Sequence, residues 1–242
     1  MSRKRVCKLK EKIPTLPKHA TPTPPPKLNL KDIKPKTTNQ ERIFQRFAEG
    51  QDLVLHGFPG TGKTFLSLYL ALQAVSLGNA ASVTIIRSTV PVRDIGFLKG
   101  TQEEKEAAYE LPYIAICHEL FGKAAAYQML KAVGKIKFLS TSFLRGQTLT
   151  DTIIVVDEIQ NMNWAELSTV ITRIDDECRV IFSGDFRQTD FQTKKDKDGL
   201  MNFLEVLKNI DSFEMIEMST EDIVRSGIVK KFIISATELG FL

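Results

Sequence analysis

Apolar positions along this chain follow two alternating patterns, and the alternation predicts its architecture. Short runs of aliphatic and β-branched residues at Asp52 to His56, Ser82 to Ile86, Lys135 to Leu139, Thr152 to Val156, Arg179 to Ser183 and Phe213 to Met218 read as strands. Between them lie stretches with helical spacing. Thr38-Asn39-Gln40 caps a helix to about Glu49 that buries Ile43, Phe44 and Phe47, and Phe65 to Leu77 is a second helix, ended by Gly78. Gln102 to Val133 predicts a long helical region interrupted near Pro112 and Gly122. Asn163 and Glu166 have capping-box spacing for a helix through Ile174, and Asp198 to Ile210 and Glu221 to Glu238 complete the set. Val90 to Gly100 reads as irregular, and Phe143 to Thr150 as a polar, arginine-bearing loop. The run from Thr152 to Val156 is apolar on both faces, which belongs in the middle of a parallel sheet covered by helices on either side. Strand and helix units repeated at this length predict a three-layer α/β fold with a mostly parallel central sheet and right-handed crossovers, without an internal repeat or a second folded domain.

The first 36 residues break this pattern. They hold seven of the ten prolines, and 11 Lys/Arg against 2 Asp/Glu, so the net charge of +4 divides into +9 for the arm and −5 for residues 37–242. Such a segment buries too little surface to offset its ordering entropy, and it reads as an extended, disordered or surface-wrapping arm. It is either a solvated leader or a basic arm that adds affinity for nucleic acid. The apolar and charged fractions, 43% and 26%, are those of a soluble globular protein and exclude fibrous and disulfide-rich classes. No uncharged apolar run is long enough to cross a bilayer and the N-terminus has no signal-peptide core, so no membrane role and a cytoplasmic location are expected. Cys7, Cys117 and Cys178 are three, far apart and in no paired spacing, which suits reduced thiols.

Gly57 to Thr64 reads Gly-Phe-Pro-Gly-Thr-Gly-Lys-Thr and lies between a predicted strand and a predicted helix. This is the pattern and the context of a phosphate-binding loop. Gly57, Gly60 and Gly62 allow the backbone of Phe58, Pro59 and Thr61 to wrap a triphosphate with the loop's N–H groups, and the following helix N-terminus favours the anion. Lys63 is placed to reach the β and γ phosphates, and the Thr64 hydroxyl to ligate Mg²⁺. Ligands of open α/β sheets bind at the carboxyl ends of strands, and two more predicted strands end in suitable groups. One delivers Asp157, a magnesium ligand through water, and Glu158, which orients or deprotonates the attacking water. The other ends at Gly184-Asp185-Phe186-Arg187-Gln188, where the Gln188 amide can bond both the γ-phosphate and that water.

Several longer segments carry a resemblance. Gly96 to Lys105, Leu144 to Leu149, Val156 to Asn161, Leu167 through Ile174, Ser183 to Gln188 and Asp222 to Arg225 resemble, in order and spacing, the PhoH-like family of P-loop ATPases, relatives of the superfamily 1 helicase core. The resemblance spans about Pro35 to Leu239. It implies a RecA-like P-loop NTPase domain that binds and hydrolyses ATP with Mg²⁺, commonly as a ring-forming homo-oligomer such as a hexamer, acting on single-stranded RNA or DNA. It further implies that Gln40 reads adenine, that Arg225 stands near the γ-phosphate, and that Arg173 acts from a neighbouring subunit as an arginine finger. The chain departs from the family where Ser226-Gly227 replaces His-Pro, where Pro91 replaces a glutamate, and where Ile159 replaces the alanine after the acid pair.

The reading that follows is a Mg-dependent ATPase coupled to binding or unwinding of RNA or single-stranded nucleic acid, with a helicase activity compatible with it. A nucleotide-gated oligomeric interaction protein is the alternative, and a P-loop phosphotransferase the less favoured one.

Overall fold

A computed structural model describes residues 28–89, 102–186 and 194–241. Six strands form one sheet: β1 (Asp52–Gly57), β2 (Ser82–Arg87), β3 (Ile136–Ser140), β4 (Thr152–Asp157), β5 (Arg179–Gly184) and β6 (Phe213–Met218). Their order is β3-β2-β4-β5-β1-β6, and every pairing is parallel. The helices among the described residues are α1 (Thr38–Ala48), α2 (Lys63–Ser76), α3 (Gln102–Phe121), α4 (Ala126–Ala132), α5 (Trp164–Ile171), α6 (Lys194–Lys208) and α7 (Gly227–Glu238). None of them is long and apolar enough to cross a membrane.

The pleat sorts the apolar strands into two cores. Leu53, Leu55, Ile153, Val155 and Ile181 face α1 to α4, while Val54, Ile154, Val156, Val180 and Phe182 face α5 and α6. Successive strand residues point to opposite faces, so a run apolar at every position is satisfied only when both faces are covered. β4 meets this condition, since all six of its residues are buried. The fold is therefore the expected α/β sandwich of three layers, RecA-like in that the strand bearing the phosphate loop, β1, and the strand bearing the acid pair, β4, are separated by β5. Cys117 and Cys178 are free thiols, and burial pushes the Cys117 thiol up to about 12.

Residues 28–36 run without regular structure along the first layer. Leu28, Leu30 and Ile33 pack on its core, the Lys31 N–H donates to the Leu120 carbonyl, and the Ile33 N–H donates to the Tyr69 hydroxyl.

Three expectations about helices change. α3 continues through Pro112, because Tyr113, Cys117 and Leu120 on its buried side outweigh the one hydrogen bond that proline removes. The break comes at Gly122, which takes a positive φ of 64°. α5 stops at Ile171, before Arg173 and Ile174, since the Arg173 carbonyl accepts from Leu149 and Ile174 pairs with Leu149. The closing helix starts at Gly227 and not at Glu221, because Asp222 is held by other partners. Its carboxylate accepts from Thr37 Oγ1, from Asn39 Nδ2 at 2.8 Å and from the Ser219 N–H at 2.8 Å, which fixes a short 3-10 turn at Thr220–Asp222. Burial alone would raise the Asp222 carboxyl, but these donors together hold it below the usual aspartate range.

Gly57 is the tightest point of the frame. Its φ is 121°, and a Cβ there would sit 2.0 Å from the Met218 carbonyl oxygen, on the strand paired with it. Gly57→Ala is expected to destabilise the protein by about 2–4 kcal/mol, because backbone must shift and a side chain must adopt a disfavoured φ. Gly134→Ala, also at positive φ but with nothing within 4 Å of the added carbon, should cost about 1 kcal/mol. Equal losses in chemical denaturation would contradict the argument.

Candidate active site

Four parallel strands end at one edge of the sheet, and their tips supply most of the site. β1 runs into the loop Gly57 to Gly62, and α2 begins at Lys63. Gly57, Gly60 and Gly62 all have positive φ, between 77° and 121°, which allows the loop to turn its amides inward. Gly62 is the cap residue of α2, and as a glycine it brings no capping side chain to that helix terminus. An anion is the natural partner for such a terminus. Lys63 Nζ donates to the carbonyls of Gly57 at 2.7 Å and Phe58 at 2.8 Å, so its ammonium lies across the mouth of the loop. Thr61 is fully buried and its hydroxyl donates to the Phe58 carbonyl, closing the loop on itself.

β4 delivers the acid pair. Asp157 is buried, and its Oδ1 accepts from the Thr64 hydroxyl at 2.9 Å and from the Ser183 hydroxyl, while Oδ2 accepts from the Tyr113 hydroxyl at 3.0 Å. Glu158 adopts the left-handed conformation with φ 57° and ψ 44°, a strain of about 1–2 kcal/mol for a residue with a Cβ. That twist swings its side chain toward the Gln160 amide, whose Nε2 donates to Glu158 Oε2 while its Oε1 accepts from the Asp185 N–H at 3.0 Å. A Cβ on Gly184 would lie 2.5 Å from Gln160 Oε1, so glycine is what lets the tips of β4 and β5 approach. Burial raises the Glu158 carboxyl above its usual range, the Asp157 charge adds to this, and Arg87, Gln160 and Lys63 oppose it.

The loop, the acid pair and Arg225 line one cavity of about 500 Å³, which fits a drug- or nucleotide-sized ligand. A second hollow of about 240 Å³ adjoins it, sharing Gly60, Gly62, Phe65, Glu119 and Arg225, and is walled by Ile33 and Gln40. Gln40 is buried, and its amide is used at both ends: Nε2 donates to the Thr61 carbonyl at 3.1 Å and Oε1 accepts from the Lys36 N–H at 2.9 Å. It thus clamps the loop to the extended segment beside the smaller hollow. Arg225 lies over Gly60, where an added Cβ would come 2.8 Å from its Cγ, and the Val224 N–H donates to the Gly60 carbonyl at 3.1 Å.

Lys63, Thr64, Asp157, Glu158, Arg225 and the loop glycines are therefore gathered in one place, with Gln40 at its margin. Gln188 lies outside the described residues, as does Val90 to Gly100. Arg173 does not line this cavity: its carbonyl accepts from the Leu149 N–H beside the Leu149–Ile174 bridge, on the side of the sheet where the strands begin, and its proposed action from a neighbouring subunit is a separate matter. Three participants were not singled out from the sequence. Tyr113 and Ser183 contact Asp157 directly, and Arg87, at the tip of β2, is balanced between burial, which would lower its guanidinium, and its interactions with the Tyr113 phenol and the Glu158 and Asp157 carboxylates, which raise it above its usual value. The signal for Arg87 was available, since a cation at the end of a β-branched strand beside a Val-Val-Asp-Glu strand stands near the acids once the two are neighbours.

The donor set suits magnesium. It is made of hard oxygens, a hydroxyl and one carboxylate already sharing a hydrogen bond beside the phosphate loop, and Mg²⁺ is typically held by one or two carboxylates together with substrate phosphates. Among the described residues no group of three or more His, Cys, Asp or Glu could hold a metal by itself.

A PhoH-like protein of Bacillus subtilis is 33% identical over 205 residues, covering 84% of this chain and 63% of that protein. A PhoH-like protein of Mycobacterium tuberculosis is 29% identical over 204 residues, covering 84% and 57%, so this chain spans about three fifths of the length of these relatives. Among solved structures, the large terminase of a thermophilic bacteriophage is similar with a TM-score of 0.49 at 12% identity, covering 82% of this chain and 50% of that one. The Sulfolobus solfataricus SWI2/SNF2 ATPase core in complex with double-stranded DNA is similar with a TM-score of 0.47 at 13% identity, covering 82% and 46%. Residues 32–237 match the family described as PhoH-like protein. With its phosphate loop and strand-tip acids in place, the chain belongs to the PhoH-like family of P-loop nucleotide-binding proteins.

Proposed function

We propose that this protein hydrolyses ATP with Mg²⁺. The observation that carries the proposal is the meeting of Lys63, Thr64, Asp157 and Glu158 in one cavity at the strand tips. Loop amides from Gly57 to Gly62 and the N-terminus of α2 hold the phosphates, and Lys63 leaves the loop carbonyls to neutralise the β and γ oxygens. Thr64 and Asp157 would hold a magnesium ion, which would supply neutralisation of phosphate charge. Glu158, made more basic by its surroundings, accepts a proton from the attacking water, and Gln188 orients that water. Arg225 steadies charge at the γ-phosphate, while Gln40 and the smaller hollow receive adenine.

The partner we propose is single-stranded RNA or DNA, engaged by a cytoplasmic homo-oligomer in which residues 1–36 form a basic arm on the domain of residues 37–242. The +9 charge of the arm and the helicase-like order of motifs support this. Phosphate release measured with and without poly-U RNA and single-stranded DNA, at two salt concentrations, tests it. Nucleic acid should raise turnover several-fold, and the effect should shrink at high salt. Turnover indifferent to every strand removes the nucleic-acid role. A nucleotide-gated association would then be favoured by the exposed apolar side chains of α7, Ile228 and Phe232, at 78% and 70% exposure. Absence of phosphate release without a small-molecule acceptor would point to phosphoryl transfer instead.

A further inference from the structure

Around the acid pair, one side chain comes from an element that touches no strand tip in sequence. Tyr113, halfway along α3, is 0% exposed, and its hydroxyl donates to Asp157 Oδ2 at 3.0 Å. A phenol has a single proton, so giving it to the carboxylate leaves only its lone pairs facing the rest of the site, where the nearby Arg87 guanidinium interacts favourably with both the phenol and the Asp157 carboxylate. The other carboxylate oxygen, Oδ1, accepts from Thr64 and Ser183. The terminal torsion of an aspartate is intrinsically broad, so its orientation is set by such partners. Magnesium is demanding in this respect, because it requires near-ideal octahedral geometry.

We infer that Tyr113 is a positioning residue for the magnesium site: by holding Oδ2 it keeps Oδ1 of Asp157 turned toward Thr64 and the phosphate loop. The inference rests on the Mg-ATP reading above. Arg87, at the tip of the neighbouring β2, adds its positive charge beside the same carboxylate. Pro112, next to Tyr113, lines the cavity together with Ile116 and Glu119, so the helix that forms this wall also fixes the metal ligand. Outer partners of metal ligands typically govern 10–100-fold in metal affinity.

The test uses the full chain and Tyr113→Phe, which keeps the buried ring and removes only the hydroxyl. Binding of a fluorescent ATP analogue is titrated with Mg²⁺, and the magnesium midpoint is expected to rise about tenfold. Binding in EDTA should stay within about twofold of wild type, and reduced turnover at limiting Mg²⁺ should recover with excess Mg²⁺. An unchanged midpoint overturns the inference. A lower melting temperature with the midpoint unchanged overturns it too, since the hydroxyl would then be a purely structural hydrogen bond. Wild-type protein lacking any magnesium-dependent binding would sink the Mg-ATP reading itself, and this inference with it, before the variant is consulted.

Discussion

Glu158→Gln is expected to bind ATP as the wild type does and to hydrolyse it about 10²–10⁴-fold more slowly, the range a positioned general base contributes. The amide has the same shape and can still bond Gln160, so the cavity should be preserved. What is lost is the proton acceptor. Burial and the neighbouring Asp157 raise the Glu158 carboxyl, which makes its ionised form a stronger base than an exposed glutamate. The same shift fixes the sign of a stability effect. A folded-state value raised above the unfolded one contributes stability at low pH that is lost as pH rises through the folded value. At neutral pH the ionised Glu158 therefore weakens the native state, and the amide variant should melt no lower than wild type. Single-turnover hydrolysis, equilibrium nucleotide binding and a thermal melt check the three statements. Wild-type turnover in the variant would remove Glu158 from the chemistry.

Lys63→Ala should abolish tight nucleotide binding along with hydrolysis. Its ammonium reaches into the loop mouth on the carbonyls of Gly57 and Phe58, where a phosphate group would replace those weaker neutral partners with charge-assisted bonds. Loss of such a group is expected to weaken ATP affinity by at least about 100-fold, or about 2.7 kcal/mol. Stability should change little, by about 1 kcal/mol, since both hydrogen bonds are only part-buried and the Phe58 carbonyl keeps the Thr61 hydroxyl as a donor. Fluorescence titration with an ATP analogue, beside a denaturation curve, measures both. An affinity within a few-fold of wild type would mean that the loop does not hold the phosphates as proposed.

The two variants separate binding from chemistry because the residues come from different strand tips. Sequence spacing reveals each tip by itself: a glycine-rich turn between strand and helix, and an acid pair after a strand apolar on both faces. These signals are local, carried by contiguous residues, and the structure places both at one edge of the sheet. Boundaries were less legible wherever a tertiary contact outcompeted a local preference. Pro112 did not break α3 because buried neighbours held the helix, and Glu221 did not open α7 because Asp222 was bound to Thr37, Asn39 and Ser219.

The order of apolar and polar positions by itself determined that this chain builds a covered parallel sheet and places a phosphate loop and two carboxylates at strand ends. Those are consequences of the two-residue period of a strand and of glycine's backbone freedom, and both are written in adjacent residues. Only the tertiary structure decided that Arg87 and Tyr113 stand at the acid pair, that Gln40 clamps the loop to residues 28–36, and that Arg173 lies at the far edge of the sheet. These depend on which strand neighbours which and on where a helix crosses them. Parallel pairing joins residues tens of positions apart, as Val83 with Ile153, and nothing in either segment names its partner.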